Sequence, residues 1–457
     1  MRGLHGSPGP SPAHRPRPAL APLLLTLLAL TLLPSLAHAR ASAGGFVEVR
    51  FAATPGVDGT WWQTVERFRP RFEAKIADRV SLYTEVEMAL AQGRNPILEF
   101  QRILDESDFG PLLEAAGNEW PTKRNEVLQI DGPQDMFWVE RLYLDIYLPK
   151  VDLRIGRQAL FWGSAIMLNP TDPFPQLLIA EPWRPRQGTN AARATVALGD
   201  KHDFTGVIAA SDAFDAFRAA GRLRLRFPWA DMAVVAAFRG DDNDAILGVD
   251  LRGTLGVGWW VEAALHIDET VHEEIAIGID YSFPLFDSFI VTAQYYRNGR
   301  GAGPKDEPAP GGSLGQLAGA LDLGDSPLAQ AFTPDDAATE APEPETFPAL
   351  LQGRDYFLLS LAAAFAPEVS ASFFALQNLS DGTGFIVPSV TVSPTGWLSL
   401  ALNAQIPYRL WGDGGEFKPA KDDLVLSTEI PVLGTYEADF SPLVPPATIT
   451  FWTRVNF

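Results

Sequence analysis

The chain contains no cysteine, so it holds neither a disulfide nor a thiolate metal site. Positive charge is scarce: 36 Lys and Arg stand against 56 Asp and Glu, a formal net charge of −20. Sequence-neutral nucleic-acid binding needs the opposite balance, so no nucleic-acid partner is expected. Beyond residue 36 no run of about 18 apolar residues occurs, the length a spanning helix requires. Histidine is rare too. Only His202, His266 and His272 lie beyond residue 39, and none sits in a His-x-Ser or HExxH setting. Without a nucleophile beside a base, no enzyme, cofactor or metal is expected. The run Asp241-Asp242-Asn243-Asp244 lacks the glycine and distal glutamate of a calcium loop and reads as a solvated hairpin. Aromatic residues, by contrast, are plentiful at 28 Phe, 12 Trp and 9 Tyr, which excludes wholesale disorder.

Residues 1–39 read as a secretory signal. Arg2, Arg15 and Arg17 form a positive segment, Ala19 to Leu33 is apolar, and Ala37-His38-Ala39 offers a small-x-small cleavage site. Cleavage there removes three positive charges and leaves a net charge near −23.

The remaining chain, 40–457, alternates apolar and polar residues with a period of two. Leu398, Leu400, Leu402, Ala404 and Ile406 interleave with Ser399, Ala401, Asn403 and Gln405. Leu142, Leu144, Ile146 and Leu148 interleave with Arg141, Tyr143, Asp145 and Tyr147. Segments of about ten residues with one apolar and one polar face are the signature of a transmembrane antiparallel β-barrel. Eighteen candidates occur (16–18 as bounds), beginning near 46, 66, 79, 136, 151, 191, 202, 217, 230, 245, 257, 273, 287, 355, 368, 384, 396 and 446. Links after the even-numbered strands are short. The long links, 91–135, 161–190, 299–354 and 407–445, all fall after odd-numbered ones. Short periplasmic turns and long extracellular loops account for that asymmetry. With strand 1 near Phe46, no N-terminal plug or passenger of the kind a TonB-dependent receptor or autotransporter carries is expected.

If the apolar face meets lipid, the other face lines the lumen. Tight turns fix the register, because opposite residues share a constant index sum. A turn at Asp78 pairs Arg71 with Glu85 and Arg69 with Glu87. One at Pro149-Lys150 pairs Asp145 with Arg154 and sets Tyr143 over Gly156 as a ring covering a strand glycine. One at Pro228-Trp229 pairs Arg226 with Asp231 and leaves Arg222, Arg224 and also Arg67 without a direct partner. The wall of strands 2–8 is therefore arginine-rich: Arg67, Arg69, Arg71, Arg141, Arg154, Arg222, Arg224 and Arg226, with Glu85, Glu87 and Asp145 among them. The wall of strands 10–12 is mainly acidic: Asp250, Glu262, Asp268, Glu274 and Asp280, with Arg252 among them. Opposed charge walls polarise a water-filled lumen, and ladders of charge are how pores select solutes.

One dense motif follows strand 5: LRIGRQALFWGSAIMLNPTDPF, Leu153 to Phe174. Its prolines, aromatics and Asn169-Pro170-Thr171-Asp172-Pro173 turn cluster predict an ordered loop. Arg157, Trp162, Asn169 and Asp172 are its expected anchors, and the loop is expected to fold inward as a constriction rather than cap the rim. The pattern Gly-Arg-Gln, Trp-Gly, Asn-Pro-x-Asp resembles Gram-negative outer-membrane barrels of the porin and alginate-export type. The C-terminus, with Phe451, Val455 and terminal Phe457, resembles the strand signal read by the barrel-assembly machinery. These resemblances imply an outer-membrane channel, monomeric or homotrimeric, set among lipid and lipopolysaccharide and passing small hydrophilic or anionic solutes. Two alternatives stand beside the channel: a closed structural or surface-binding barrel, and an exporter of an anionic polysaccharide.

Overall fold

The computed structural model describes residues 40–56, 59–93, 103, 107, 137–174, 187–210, 214, 216–240, 243–268, 270–301, 303, 351, 353–418, 420, 425–430, 434–439 and 446–457. The signal assignment lies outside these residues, as do most of 91–135 and 299–354.

Eighteen strands form one sheet. They are β1 (Arg40–Gly56), β2 (Gly59–Ala77), β3 (Val80–Gly93), β4 (Phe137–Tyr147), β5 (Val151–Gln158), β6 (Thr189–Leu198), β7 (His202–Ala210), β8 (Phe217–Arg226), β9 (Ala230–Arg239), β10 (Asp244–Leu255), β11 (Val257–Ile267), β12 (Val271–Phe283), β13 (Ser288–Asn298), β14 (Asp355–Ala366), β15 (Val369–Asn378), β16 (Thr383–Thr395), β17 (Leu398–Arg409) and β20 (Thr448–Asn456). Consecutive strands pair antiparallel, and β20 closes the ring by pairing with both β17 and β1. Closure removes the sheet edges, which would otherwise template aggregation. A separate hairpin, β18 (Val425–Ile430) with β19 (Gly434–Asp439), sits within the 407–445 link. Nothing in the alternation had singled that hairpin out.

The polarity is inside-out. Outward residues are apolar and exposed, among them Val47, Val49 and Phe51 of β1, Leu247 and Val249 of β10, and Ile277 and Ile279 of β12. Inward residues include many buried polar groups, such as Glu48, Arg67, Arg69, Glu262, Gln294 and Asn403. A water-soluble barrel would bury the first set and expose the second. Aromatics ring both ends of the apolar band. Phe227, Trp229, Phe283, Phe286, Phe365, Trp397 and Phe457 lie toward the short turns, and Trp62, Phe137, Phe217, Phe238 and Phe357 toward the long links. Phe217 and Phe227 mark the two girdles on one strand. Ten steps of ~3.4 Å, tilted as barrel strands are, separate them by about 26 Å along the axis, the height of a bilayer-facing band.

The predicted registers match the pairings: Arg71 faces Glu85, Asp145 faces Arg154, and Arg226 faces Asp231. The C-terminal strand is locked by reciprocal 3.0 Å hydrogen bonds between the Gly45 and Phe457 backbones. The Phe457 ring stacks on Phe68. Tyr143 faces Gly156 as expected. It stacks on Tyr83 with centroids 5.0 Å apart and carries the Arg154 guanidinium 4.0 Å above it. Gly156 is needed for its backbone, which has φ of +124° and lies hard against the Leu142 carbonyl. Rings lie over strand glycines at Trp260 and Gly278 and at Trp259 and Gly253.

Candidate functional site

The link after β5 enters the barrel. From Ala159 to Phe174 it crosses from the inner wall of β6–β9 to that of β10–β13. At the near wall, Leu160, Trp162 and Phe174 pack on Ala191, Val207, Ala209, Ala220 and Val235. Trp162 meets Phe174 edge-to-face, centroids 5.6 Å apart. At the far wall Ala165 and Leu168 join a cluster with Trp260, Tyr296, Tyr356, Leu358, Leu376 and Phe385. These inward aromatic and aliphatic residues, an anomaly in a polar lumen, are explained by the loop that covers them. Burying such side chains contributes roughly 1.5–3 kcal/mol each.

Polar contacts fasten the crossing. Glu262, fully buried in mid-β11, accepts from the Ser164 backbone N–H at 2.5 Å, from the Ala165 N–H, and from the Thr171 hydroxyl at 2.8 Å. Ser164 Oγ donates to Asp250 at 2.9 Å. Gln294 on β13 accepts from the Ile166 N–H at 2.7 Å and from the Trp260 indole at 3.1 Å, and donates to the Ile166 carbonyl. Gly163, at φ +97°, lets the chain pass where a Cβ would stand 2.7 Å from the Glu262 carboxylate. Asn169 donates to the Ala165 carbonyl at 2.8 Å, and Asp172 caps Phe174 N–H at 3.1 Å. Together they close the turn that the sequence marks. Arg157 lies within β5 itself, paired with Leu142 on the outward parity of Ile155, and its side chain lies against Gly188 near the end of the link.

The register puts Arg67, Arg69, Arg71, Arg141, Arg154, Arg222, Arg224 and Arg226 on the inward face. Their electrostatics divide in two. Arg67 and Arg69 are embedded among carboxylates: Arg67 lies 3.7 Å from Glu48 and 3.6 Å from Glu87, while Arg69 meets Glu85, Glu87 at 3.1 Å and Glu140 at 3.4 Å. Arg67 therefore has partners, from β1 as well as β3. Glu140 reaches inward because a bulge opposite Glu85 and Val86 turns it and Arg141 to the same side. Arg154 forks onto Asp145 at 2.6 and 2.9 Å. Arg224, predicted to lack a partner, forks onto Asp203 of β7 at 2.9 and 2.6 Å.

Arg222 differs. Its guanidinium stands 5.1 Å over the Trp162 ring, and its Nε has no hydrogen-bond partner among the described residues. Arg193, absent from the predicted set, faces Arg154 across β5–β6 on the same inner wall. Its parity was open to the index-sum rule from the Gly199-Asp200 turn. On the facing wall, Asp280 lies 3.5 Å from Arg252, and Glu274 accepts from Tyr296 at 3.0 Å. Asp268 lies in the β11–β12 link, where the Thr270 N–H holds its carboxyl below the usual carboxylate range and Arg300 pairs with it. Asp244, read as part of a solvated hairpin, begins β10 and is fully buried.

No family model matches the chain, and no curated protein sequence does. Among solved structures it is similar to OccK11 (OpdR) of Pseudomonas aeruginosa, at 9% identity and a TM-score of 0.45 over 91% of this chain and 96% of that one. It is similar to OccK3 (OpdO) of the same organism, at 11% identity and 0.46 over 94% and 99%. It is also similar to OccAB2 of Acinetobacter baumannii, at 10% identity and 0.47 over 92% and 98%.

Proposed function

We propose that the protein is an outer-membrane channel of a Gram-negative bacterium that passes small hydrophilic, preferentially anionic, solutes, and that it is not an enzyme. The observation that carries this reading is the asymmetry of the constriction. The loop 159–174 is seated on the acidic wall, and its docking engages Glu262 and Asp250. On the wall of β5–β8 the loop packs through apolar contacts, with Ala191, Val207, Ala209 and Ala220, and none of Arg154, Arg193, Arg222 and Arg224 is used as a hydrogen-bond anchor among the described residues: Arg222 stands at the loop's edge and Arg193 faces inward beside it. Eighteen strands enclose more space than their side chains fill, so the loop narrows a water path. Solutes cross beside Arg154, Arg193, Arg222 and Arg224, where a low-dielectric rim strengthens each charge. Residues 1–39 act as the export signal, and the outward face of Phe451, Val455 and Phe457 is what the assembly machinery reads. Lipid and lipopolysaccharide surround the apolar band.

The test is single-channel recording of the folded protein in a planar bilayer under a salt gradient. Stepwise conductance is expected, with a reversal potential on the anion side that Arg222→Ala with Arg224→Ala moves toward cations. Folded, heat-modifiable protein that inserts and stays silent overturns the channel in favour of a closed barrel working through its long loops.

A further inference from the structure

Near the long-link end of β11 and β12, beyond Glu262 on the same strand, two of the three histidines beyond residue 39 come together with a glutamate. His266 and His272 face each other across the strand pair, rings stacked with centroids 5.1 Å apart. Glu274 is the next inward residue on β12. One ligand atom from each of the three lies within 4.8 Å of the others, and the residues are only 5%, 7% and 5% exposed. His266 Nε2 is buried, has no hydrogen-bond partner among the described residues, and lies 3.7 Å from Glu274 Oε1. An imidazole nitrogen left bare in a buried site is costly unless something completes it.

Neighbours already orient the other atoms. Asp244 lies 2.9 Å from His266 Nδ1, the carboxylate–imidazole pairing that puts the proton on Nδ1 and leaves the Nε2 lone pair for a metal. Tyr296 donates to Glu274 Oε2 at 3.0 Å and leaves Oε1 turned to the histidines. The charges balance as well. Asp244 is paired with Arg239 at 2.5 Å and Asp268 with Arg300, so among the described residues Glu274 is the carboxylate at this cluster that no arginine or lysine pairs.

We propose that His266, His272 and Glu274 form a binding site for a divalent first-row transition ion, of the Zn2+ or Cu2+ class, at the rim of the barrel. Two imidazoles and one carboxylate suit these ions. Calcium and magnesium, which take oxygen ligands, are excluded by the two nitrogens. This departs from the expectation of no metal, because the sequence shows neither histidine in a metal motif. The six-residue spacing of 266 and 272 becomes a facing pair only through the β11–β12 register. The Arg300 Nε stands 3.3 Å from His272 Nδ1, so an entering cation displaces that guanidinium by repulsion whichever ring nitrogen it takes. Arg300 begins the link 299–354. The ion therefore staples β11 to β12 and at the same time frees the Arg300 side chain from His272.

Untagged folded protein, stripped with chelator, is titrated with Zn2+ in a calorimeter. One equivalent is expected to bind in the wild type. That step disappears in His266→Ala and His272→Ala, weakens about 10–100-fold in Asp244→Asn, and tightens in Arg300→Ala. Absence of a saturable one-equivalent step, or its survival in both histidine variants, overturns the site. If those variants do not fold, Cu2+ electron paramagnetic resonance of the wild type decides. Hyperfine coupling to two imidazole nitrogens supports the site. The only other histidine beyond residue 39, His202, sits at the opposite end of the barrel and cannot supply the second. No nitrogen coupling overturns it.

Discussion

Thr171 and Glu262 are 91 residues apart in sequence and joined by a 2.8 Å hydrogen bond from the hydroxyl to a fully buried carboxylate. That bond, with the two backbone N–H groups of Ser164 and Ala165 on the same carboxylate, holds the inward loop against β11. Burying a carboxylate is expensive unless donors satisfy it. Here the loop backbone supplies them, so the loop position and the burial of Glu262 depend on each other.

Glu262→Gln keeps the volume and removes the charge, which weakens charge-assisted bonds worth about 1.5–3 kcal/mol each. The loop should loosen, giving larger and noisier single-channel conductance with the barrel still heat-modifiable. Unchanged conductance steps would show that the loop does not set the narrowest point.

Asp203→Asn releases Arg224 from its forked pair and leaves Arg226 without its nearby carboxylate at 3.9 Å. The inner wall gains one net positive charge. Reversal potentials should move further to the anion side, most strongly at low salt, because screening shortens with ionic strength. A potential that does not move would place Arg224 away from the ion path.

Ile277→Arg puts a charge on the outer face at mid-height and should cost about 2–4 kcal/mol. Ser372→Arg, on the inner face of β15, should cost far less because the lumen is wet. Urea unfolding from phospholipid vesicles compares them. Equal losses would contradict an apolar band turned to lipid.

Gly278→Ala forces a Cβ to within 2.1 Å of the Trp260 ring as it now lies. The ring must swing, and its indole N–H then leaves Gln294, which holds Ile166. A destabilisation of about 1–3 kcal/mol is expected from such overpacking. Unchanged tryptophan emission would mean that the strands give way instead of the ring.

Local alternation and turn chemistry determined the strand set, the closed antiparallel barrel and the inward parity of residues such as Arg222 and Asp145, because a period of two and a constant index sum are properties of short stretches of chain. The tight Pro149-Lys150 and Pro228-Trp229 turns are short enough to allow one register, so Arg154 met Asp145 and Arg226 came to face Asp231 as read, although the carboxylate near the Arg226 guanidinium is Asp203. Contacts between distant strands followed no such rule. Arg224 took Asp203 from β7 on its other side, and Arg67 took Glu48 from β1. Tyr143 stacked on Tyr83, a contact that depends on the third strand and not on the turn. Only the tertiary structure decided that Glu262 sits beneath a loop from strand 5, that Trp260 and Tyr356 point inward to receive that loop, and that His266 and His272 meet beside Glu274. Those arrangements join side chains from separate strands and links, and depend on three-dimensional packing that no local pattern encodes.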